Sequence, residues 1–151
     1  MSKRNDIVDQ VLAQLRAATT GHLAALDDEV EIVRGPADVR ALEGIEFHLQ
    51  EAMVHVDLGE DVMAPATVSK DGHEMAFFVL CMMRGVDEAE GLEDVTDFGD
   101  ECERAVLSDR TLGGEVHECH PVRFTPGFLK GDSDVIAFAQ VEFTCDFQTT
   151  D

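Results

Sequence analysis

The sequence predicts an α+β fold in a single domain over residues 1–151, with a mixed or antiparallel sheet of four to five strands and two main helices packed on one face. Three observations predict it. Apolar residues recur at the helical period near residues 7–18 and 92–106, and at the strand period over 135–147. Hairpin-like strand pairs flank the second helix, whereas a doubly wound parallel fold needs more crossover helices than this pattern contains. A chain of 151 residues is long enough for one core and too short for a second independent one.

In chain order, Ile7, Val8, Val11, Leu12, Leu15 and Ala18 fall in one stripe of a helical wheel. Asp9, Gln10, Gln14 and Arg16 lie largely outside that stripe. Asn5 or Asp6 is placed to cap the start and Gly21 to stop the helix, unless Leu23 to Leu26 carries it further. A short strand is expected from Glu29 to Arg34, ended by Gly35-Pro36. Ala37 to Leu49 fits either a short helix or irregular chain. Ala52 to Leu58 is expected as a strand through Met53, Val54 and Val56, followed by a polar excursion from Gly59 to Gly72 that Pro65 interrupts. Within it, Ala66 to Ser69 reads as the rising arm of a hairpin turning at Lys70-Asp71-Gly72.

The other arm is Met75 to Met83, nine consecutive apolar residues. Val79 and Cys81 share one face of such a strand, and Phe78, Leu80 and Met82 share the other. A single helix layer covers one face, so a neighbouring subunit is expected to cover the second, and Phe78, Val79, Leu80, Cys81 and Met82 are the candidate interface residues. After Gly91, Leu92, Val95, Phe98, Cys102, Ala105 and Val106 form one helical face, with Glu93, Asp97, Asp100, Glu101 and Arg104 on the other. Gly99 inside that helix costs about 1 kcal/mol in propensity. The helix is expected to stop at Ser108-Asp109, and Thr111-Leu112-Gly113-Gly114 to form a turn. Glu115 to Phe124 reads as a strand and Thr125 to Asp134 as a Pro/Gly-rich loop. The last strand, Val135 to Phe147, sets Val135, Ala137, Ala139, Val141, Phe143, Cys145 and Phe147 on its buried face and Gln140, Glu142, Thr144 and Asp146 on its wet face.

The chain carries 11 basic and 32 acidic side chains, a net charge of −21. So negative a surface repels polyanions, and no Lys/Arg-rich segment is present to neutralise a phosphate backbone. Lysine is confined to Lys3, Lys70 and Lys130. Scarce lysine among abundant Asp and Glu resembles proteins adapted to high salt, where screening relieves self-repulsion. The nine-residue apolar run falls well short of the roughly 20 residues of a membrane span, and no signal-like segment follows Met1, so a soluble, uncleaved protein is expected.

The four cysteines, Cys81, Cys102, Cys119 and Cys145, form no CxxC pair and are expected as buried free thiols. His117, Cys119 and His120 are the most metal-like cluster, but on a strand His120 points away from the other two and no second half-site has matching spacing. Glu60 with Asp61, and Glu88, Glu90, Glu93, Asp94 and Asp97, read as solvated acidic surface. Gly113-Gly114 and Gly127 read as turn residues, and Phe124 and Phe128 beside Pro121 and Pro126 as a contact patch or the cover of the sheet end. No phosphate-loop, dinucleotide, nucleophile-elbow or zinc-protease motif is present, and no catalytic, cofactor-binding or metal residue is assigned.

The segment from Ala105 to Gly114 resembles the tail terminator (minor tail) proteins of long-tailed viruses. There, a helix ending in an Ala-Leu-x-x-Asp-x-Thr-Leu-Gly-Gly type of sequence leads to a strand, a variable loop and a last strand. Ala105 and Leu107 stand for the helix end and Asp109, Thr111, Leu112, Gly113 and Gly114 for the turn, with one residue fewer before the Asp. The resemblance implies a homohexameric ring at the head-proximal end of the virion tail, assembled in the host cytoplasm. Such a ring halts growth of the tail tube protein, meets the head-completion (stopper) protein and lets genomic DNA pass without specific binding. It implies no enzyme, no cofactor and no membrane. The composition would suit a virus of a halophilic archaeon. A tail-tube subunit, a head–tail adaptor or stopper, and a small acidic enzyme are the alternatives.

Overall fold

A computed structural model describes residues 2–39, 52–67, 70–84, 88–130 and 135–150. Its elements run α1 (Lys3–Arg16), α2 (Gly21–Ala24), β1 (Ile32–Arg34), β2 (Ala52–Thr67), β3 (Lys70–Arg84), α3 (Glu88–Leu107), β4 (Glu118–Lys130) and β5 (Val135–Thr150). The expected α+β domain is what the chain forms. Five strands lie in the order β1-β2-β3-β5-β4. β1 runs parallel to β2 and every other pair is antiparallel, so the sheet is mixed. α1 and α3 pack on one face, α1 over β1 and β2, and α3 over β3, β5 and β4.

The helical periods explain that layer. Ile7, Val8, Val11, Leu12 and Leu15 of α1 and Val95, Phe98, Cys102 and Val106 of α3 all enter one core with the helix-facing side of the sheet. Stacked Phe77 and Phe143, 4.9 Å apart on neighbouring strands, sit in that core. Such a pair adds about 0.5–1.5 kcal/mol beyond its buried area. Gly99 has a packing reason. A Cβ there would fall 2.7 Å from the Phe124 ring and 2.9 Å from the Ala139 Cβ, so α3 lies too close to the sheet for a side chain. Gly99→Ala is therefore expected to destabilise by about 1–3 kcal/mol through overpacking, against the roughly 1 kcal/mol propensity gain it brings. Thermal melts of the two proteins decide the sign.

Several boundaries differ from expectation. Residues 29–31 form a turn, with the Glu31 N–H donating to the Asp27 carbonyl, so β1 starts at Ile32 rather than Glu29. α1 stops at Arg16, and Gly21, at φ +76°, opens a separate helical turn instead of ending the first. Within the expected polar excursion, Gly59 to Thr67 and Lys70 to Gly72 are strand. β2 continues to Thr67 across a bulge between Leu58 and Asp61, and Lys70, Asp71 and Gly72 lie on β3 opposite Thr67, Pro65 and Ala64 rather than forming the turn. β4 begins at Glu118 and runs through Thr125 to Lys130, where a loop was expected. Pro121 and Pro126 are tolerated because β4 is the sheet edge. Of the ambiguous stretch 37–49, only Ala37 to Val39 falls within the described residues. Among those residues no helix is long and apolar enough to cross a membrane.

Candidate functional site

The strand segment Met75 to Met83 divides its side chains as expected. Met75, Phe77, Val79 and Cys81 enter the core beneath the helices. Phe78, Leu80 and Met82 join a second cluster on the opposite face with Ala37, Ile136 and Phe138, flanked by Val39 and Met53. That second face is covered within the single chain. Leu80 and Met82 are 0% exposed and Phe78 is 4%. The Val39 N–H donates to Gln140 Oε1 at 2.7 Å, tying the covering segment to β5. Phe78, Val79, Leu80, Cys81 and Met82, expected to need a neighbouring subunit as cover, are instead core residues of one chain.

The Asp109–Gly114 turn folds as a unit. Asp109 accepts hydrogen bonds from the Thr111 hydroxyl (2.6 Å), the Thr111 N–H (3.0 Å) and the Gly113 N–H (3.0 Å). The Thr111 hydroxyl oxygen accepts in turn from the Gly114 N–H at 3.2 Å. Leu112, Gly113 and Gly114 all have positive φ, at 48°, 68° and 85°. The two glycines adopt this region without a Cβ penalty, and Leu112 is held there with its side chain fully buried. On the inner side, Gln14 of α1 donates through Nε2 to the Val106 carbonyl at 2.7 Å and approaches those of Asp109 and Ala105, closing the open carbonyl end of α3. The Cys119 N–H donates to the Arg110 carbonyl at 2.8 Å and fixes the turn to β4. The outer surface of Asp109, Arg110, Thr111, Gly113 and Gly114 remains exposed.

These hydrogen bonds, the Thr111 hydroxyl first, hold the Asp109 carboxyl below its ordinary pKa. A depressed folded-state pKa contributes stability that is complete above the unfolded value of about 3.9 and is lost as pH falls through the lower folded value. Asp109→Asn is expected to flatten this part of the acid dependence below about pH 4. Melting temperature against pH for both proteins measures it.

A second polar assembly joins elements far apart in sequence. Asp61 of β2 accepts from Arg4 Nε of α1 at 2.7 Å, and its carboxylate lies 3.0 Å from His73 Nδ1 of β3. His73 Nε2 lies 2.7 Å from the Thr149 hydroxyl of β5, and its ring stacks on Phe147 at 4.5 Å. A carboxylate only accepts, so Nδ1 carries the proton that donates to Asp61, and in the neutral ring Nε2 accepts from Thr149. The order hydroxyl, imidazole, carboxylate is that of a nucleophilic relay, but Arg4 already neutralises this carboxylate and Phe147 covers the imidazole face. The arrangement clamps three strands to the start of α1. From the sequence Asp61 is expected among the solvated carboxylates. Its side chain is instead 10% exposed, and that of His73, which no motif signalled, 5%.

Met63 lies opposite His73 in the register of β2 and β3, and Arg4 Nη2 of α1 reaches its sulfur at 3.6 Å. Val62 and Met63 are 60% and 59% exposed, the most exposed large apolar side chains among the described residues of the sheet. Glu60, Glu90, Glu93, Asp94 and Asp97 are exposed as expected, and the Glu88 side chain lies outside the described residues. His117 sits ahead of β4 and is exposed with His120, whereas Cys119 is buried, so the three do not converge. Among the described residues no three His, Cys, Asp or Glu side chains are placed to share a metal ion. A cavity of about 300 Å³ between the end of α1, α2 and α3 is lined by Gln14, Thr20, Glu101 and Arg104 among others. Glu101 Oε1 accepts from the His22 N–H at 2.8 Å, across a site where a Cβ on Gly21 would fall 1.4 Å from that oxygen. This carboxylate is a strut for the helical turn.

Comparison with protein-family models finds no match, and comparison with curated proteins finds none either.

Proposed function

We propose that this chain is a virion structural protein that assembles as a ring on the tail tube, stops the tube's growth and joins the tail to the head-completion proteins. The observation that carries the reading is the form of the exposed surface: a β2–β3 ribbon with Val62 and Met63 exposed beside its polar clamp, and an Asp109–Gly114 turn held by its own hydrogen bonds. Both support a docking role in this reading. The resemblance of the turn to that of tail terminators supplies the kind of assembly. With both faces of Met75–Met83 filled internally, the subunit contact moves to the ribbon. The net charge of −21 gives a conduit that repels transiting DNA.

Sedimentation in molar potassium chloride tests the assembly. A closed ring of several copies is expected, and Val62→Glu with Met63→Glu should leave a folded monomer, because both side chains already face water. In virus particles the same double variant should give overlong or headless tails. Normal tails attached to full heads and lacking this protein would place its function elsewhere. A related expectation concerns salt. Screening of the acidic excess should raise the melting temperature between about 0.1 M and several molar potassium chloride, and an unchanged or lower value would remove the argument from charge.

A further inference from the structure

Cys119 and Cys145 are exact partners in the register of β4 and β5. Their backbones do not exchange the paired hydrogen bonds of a closely bonded position, because the Cys119 N–H points away from β5 and donates to the Arg110 carbonyl. Directly opposed residues at such a position have Cα atoms about 4.5 Å apart, within the range a disulfide spans. Both side chains face the helix layer and are 0% exposed. The two thiols also sense each other, since Cys119 follows burial among the causes that raise the pKa of Cys145.

We infer that Cys119 and Cys145 form a latent cross-strand disulfide, reduced in a reducing compartment and closed when the protein meets an oxidant. Closure removes one hydrogen from each thiol and joins the sulfurs. The two electrons and two protons pass to the oxidant, here the disulfide of oxidised glutathione, which leaves as two reduced molecules. Burial pushes Cys119 to about 11 and Cys145 to about 12, so both thiols stay protonated near neutral pH and exchange slowly in the folded state. The bridge would lock the edge strand to its neighbour at the residue that anchors the Asp109–Gly114 turn. Cys81 and Cys102 are a second buried pair, with Cys81 following burial among the causes that raise the pKa of Cys102, while the Cys81 thiol donates to the Ala139 carbonyl at 3.4 Å. They lie between a strand and a helix without a cross-strand register, and serve as the internal comparison. The inference does not depend on the ring reading.

The full chain is refolded from denaturant, and separately equilibrated while folded, at pH 8.5 in glutathione buffers from reducing to oxidising. Thiols are then trapped by alkylation and the linkages mapped by peptide mass spectrometry. A Cys119–Cys145 bridge is expected as the dominant linkage in the refolded protein, appearing more slowly in the folded one. The bridged chain should melt roughly 5–10 °C higher than the reduced chain, a gain absent in Cys145→Ala. Dominance of a Cys81–Cys102 bridge, scrambled pairs, glutathione adducts, four free thiols after oxidative refolding, or a lower melting temperature for the bridged chain would each overturn the inference. Because linkage is mapped on the unaltered chain, the result does not hinge on whether the alanine variant folds.

Discussion

Leu80→Asp is expected to unfold the domain, and Val79→Asp to do the same. The two side chains point to opposite faces of β3, and both are 0% exposed. Val79 lies in the helix-covered core, and Leu80 among Phe78, Met82, Ala37, Ile136 and Phe138. Among the described residues clustered with either side chain there is no cation to pair with an aspartate. Burying a carboxylate without a partner costs several kcal/mol even after local relaxation, against a total stability of about 5–15 kcal/mol for a domain. Were one face completed only by another subunit, the corresponding variant would remain a folded monomer. Far-UV circular dichroism and gel filtration in molar salt separate the outcomes. Loss of secondary structure in both variants is expected, and a folded, monodisperse Leu80→Asp protein would show that its face is open in solution.

Two elements were legible because a single local signal governs each. α1 and α3 bury one face against one core, so the period of their apolar residues reports their geometry directly. On β5 the alternation located the helix-facing side from Ala137 to Phe147, but the face expected to be wet is buried at Ile136, Phe138 and Gln140, and Val135, expected to be buried, is 41% exposed. The outer half of the β2–β3 ribbon was not legible. It buries no continuous apolar stripe, and its inward positions at Asp61 and His73 are filled by a polar clamp whose members come from residues 4, 61, 73 and 149. No local pattern encodes that meeting, because the register of three strands creates it. The end of β4 was hidden by Pro126 and Gly127, which read as loop residues. On an edge strand a proline loses no ladder bond, and Gly127 lies under the Phe138 ring, where a Cβ would approach within 2.8 Å. The Asp109–Gly114 turn was legible as a turn because its glycines and its short acidic side chain act within a few residues of one another. The cover on the second face of β3 escaped the sequence because Ala37 and Val39 belong to a stretch with no regular period.

Asp61→Ala is expected to lower stability by about 1–3 kcal/mol, chiefly through the imidazole it abandons. His73 has a 5% exposed side chain whose Nδ1–H then lacks its acceptor, while Phe147 still covers the ring. The ion pair with Arg4 adds less, because the Arg4 side chain is 42% exposed and water replaces the carboxylate there. Asp61→Asn separates these contributions. It keeps a carbonyl oxygen for His73 and removes the charge that faces Arg4, so it should recover most of the loss. Urea titrations in molar potassium chloride give the midpoints, with an unchanged slope showing that only stability has moved. Limited proteolysis of the ribbon gives a second readout, since removing the Asp61 carboxylate unties β2 from Arg4 of α1 and from the His73 side chain, leaving only the backbone pairing with β3. Equal and small changes in the two variants, below about 0.5 kcal/mol, would mean that water serves His73 as well as Asp61 does. A large loss in both would shift the weight to the ion pair with Arg4. The link to assembly follows from order. A ribbon fixed before it meets a partner loses less conformational entropy on docking, so under the proposed ring assembly Asp61→Ala should weaken association more than Asp61→Asn even at protein concentrations where both chains are folded.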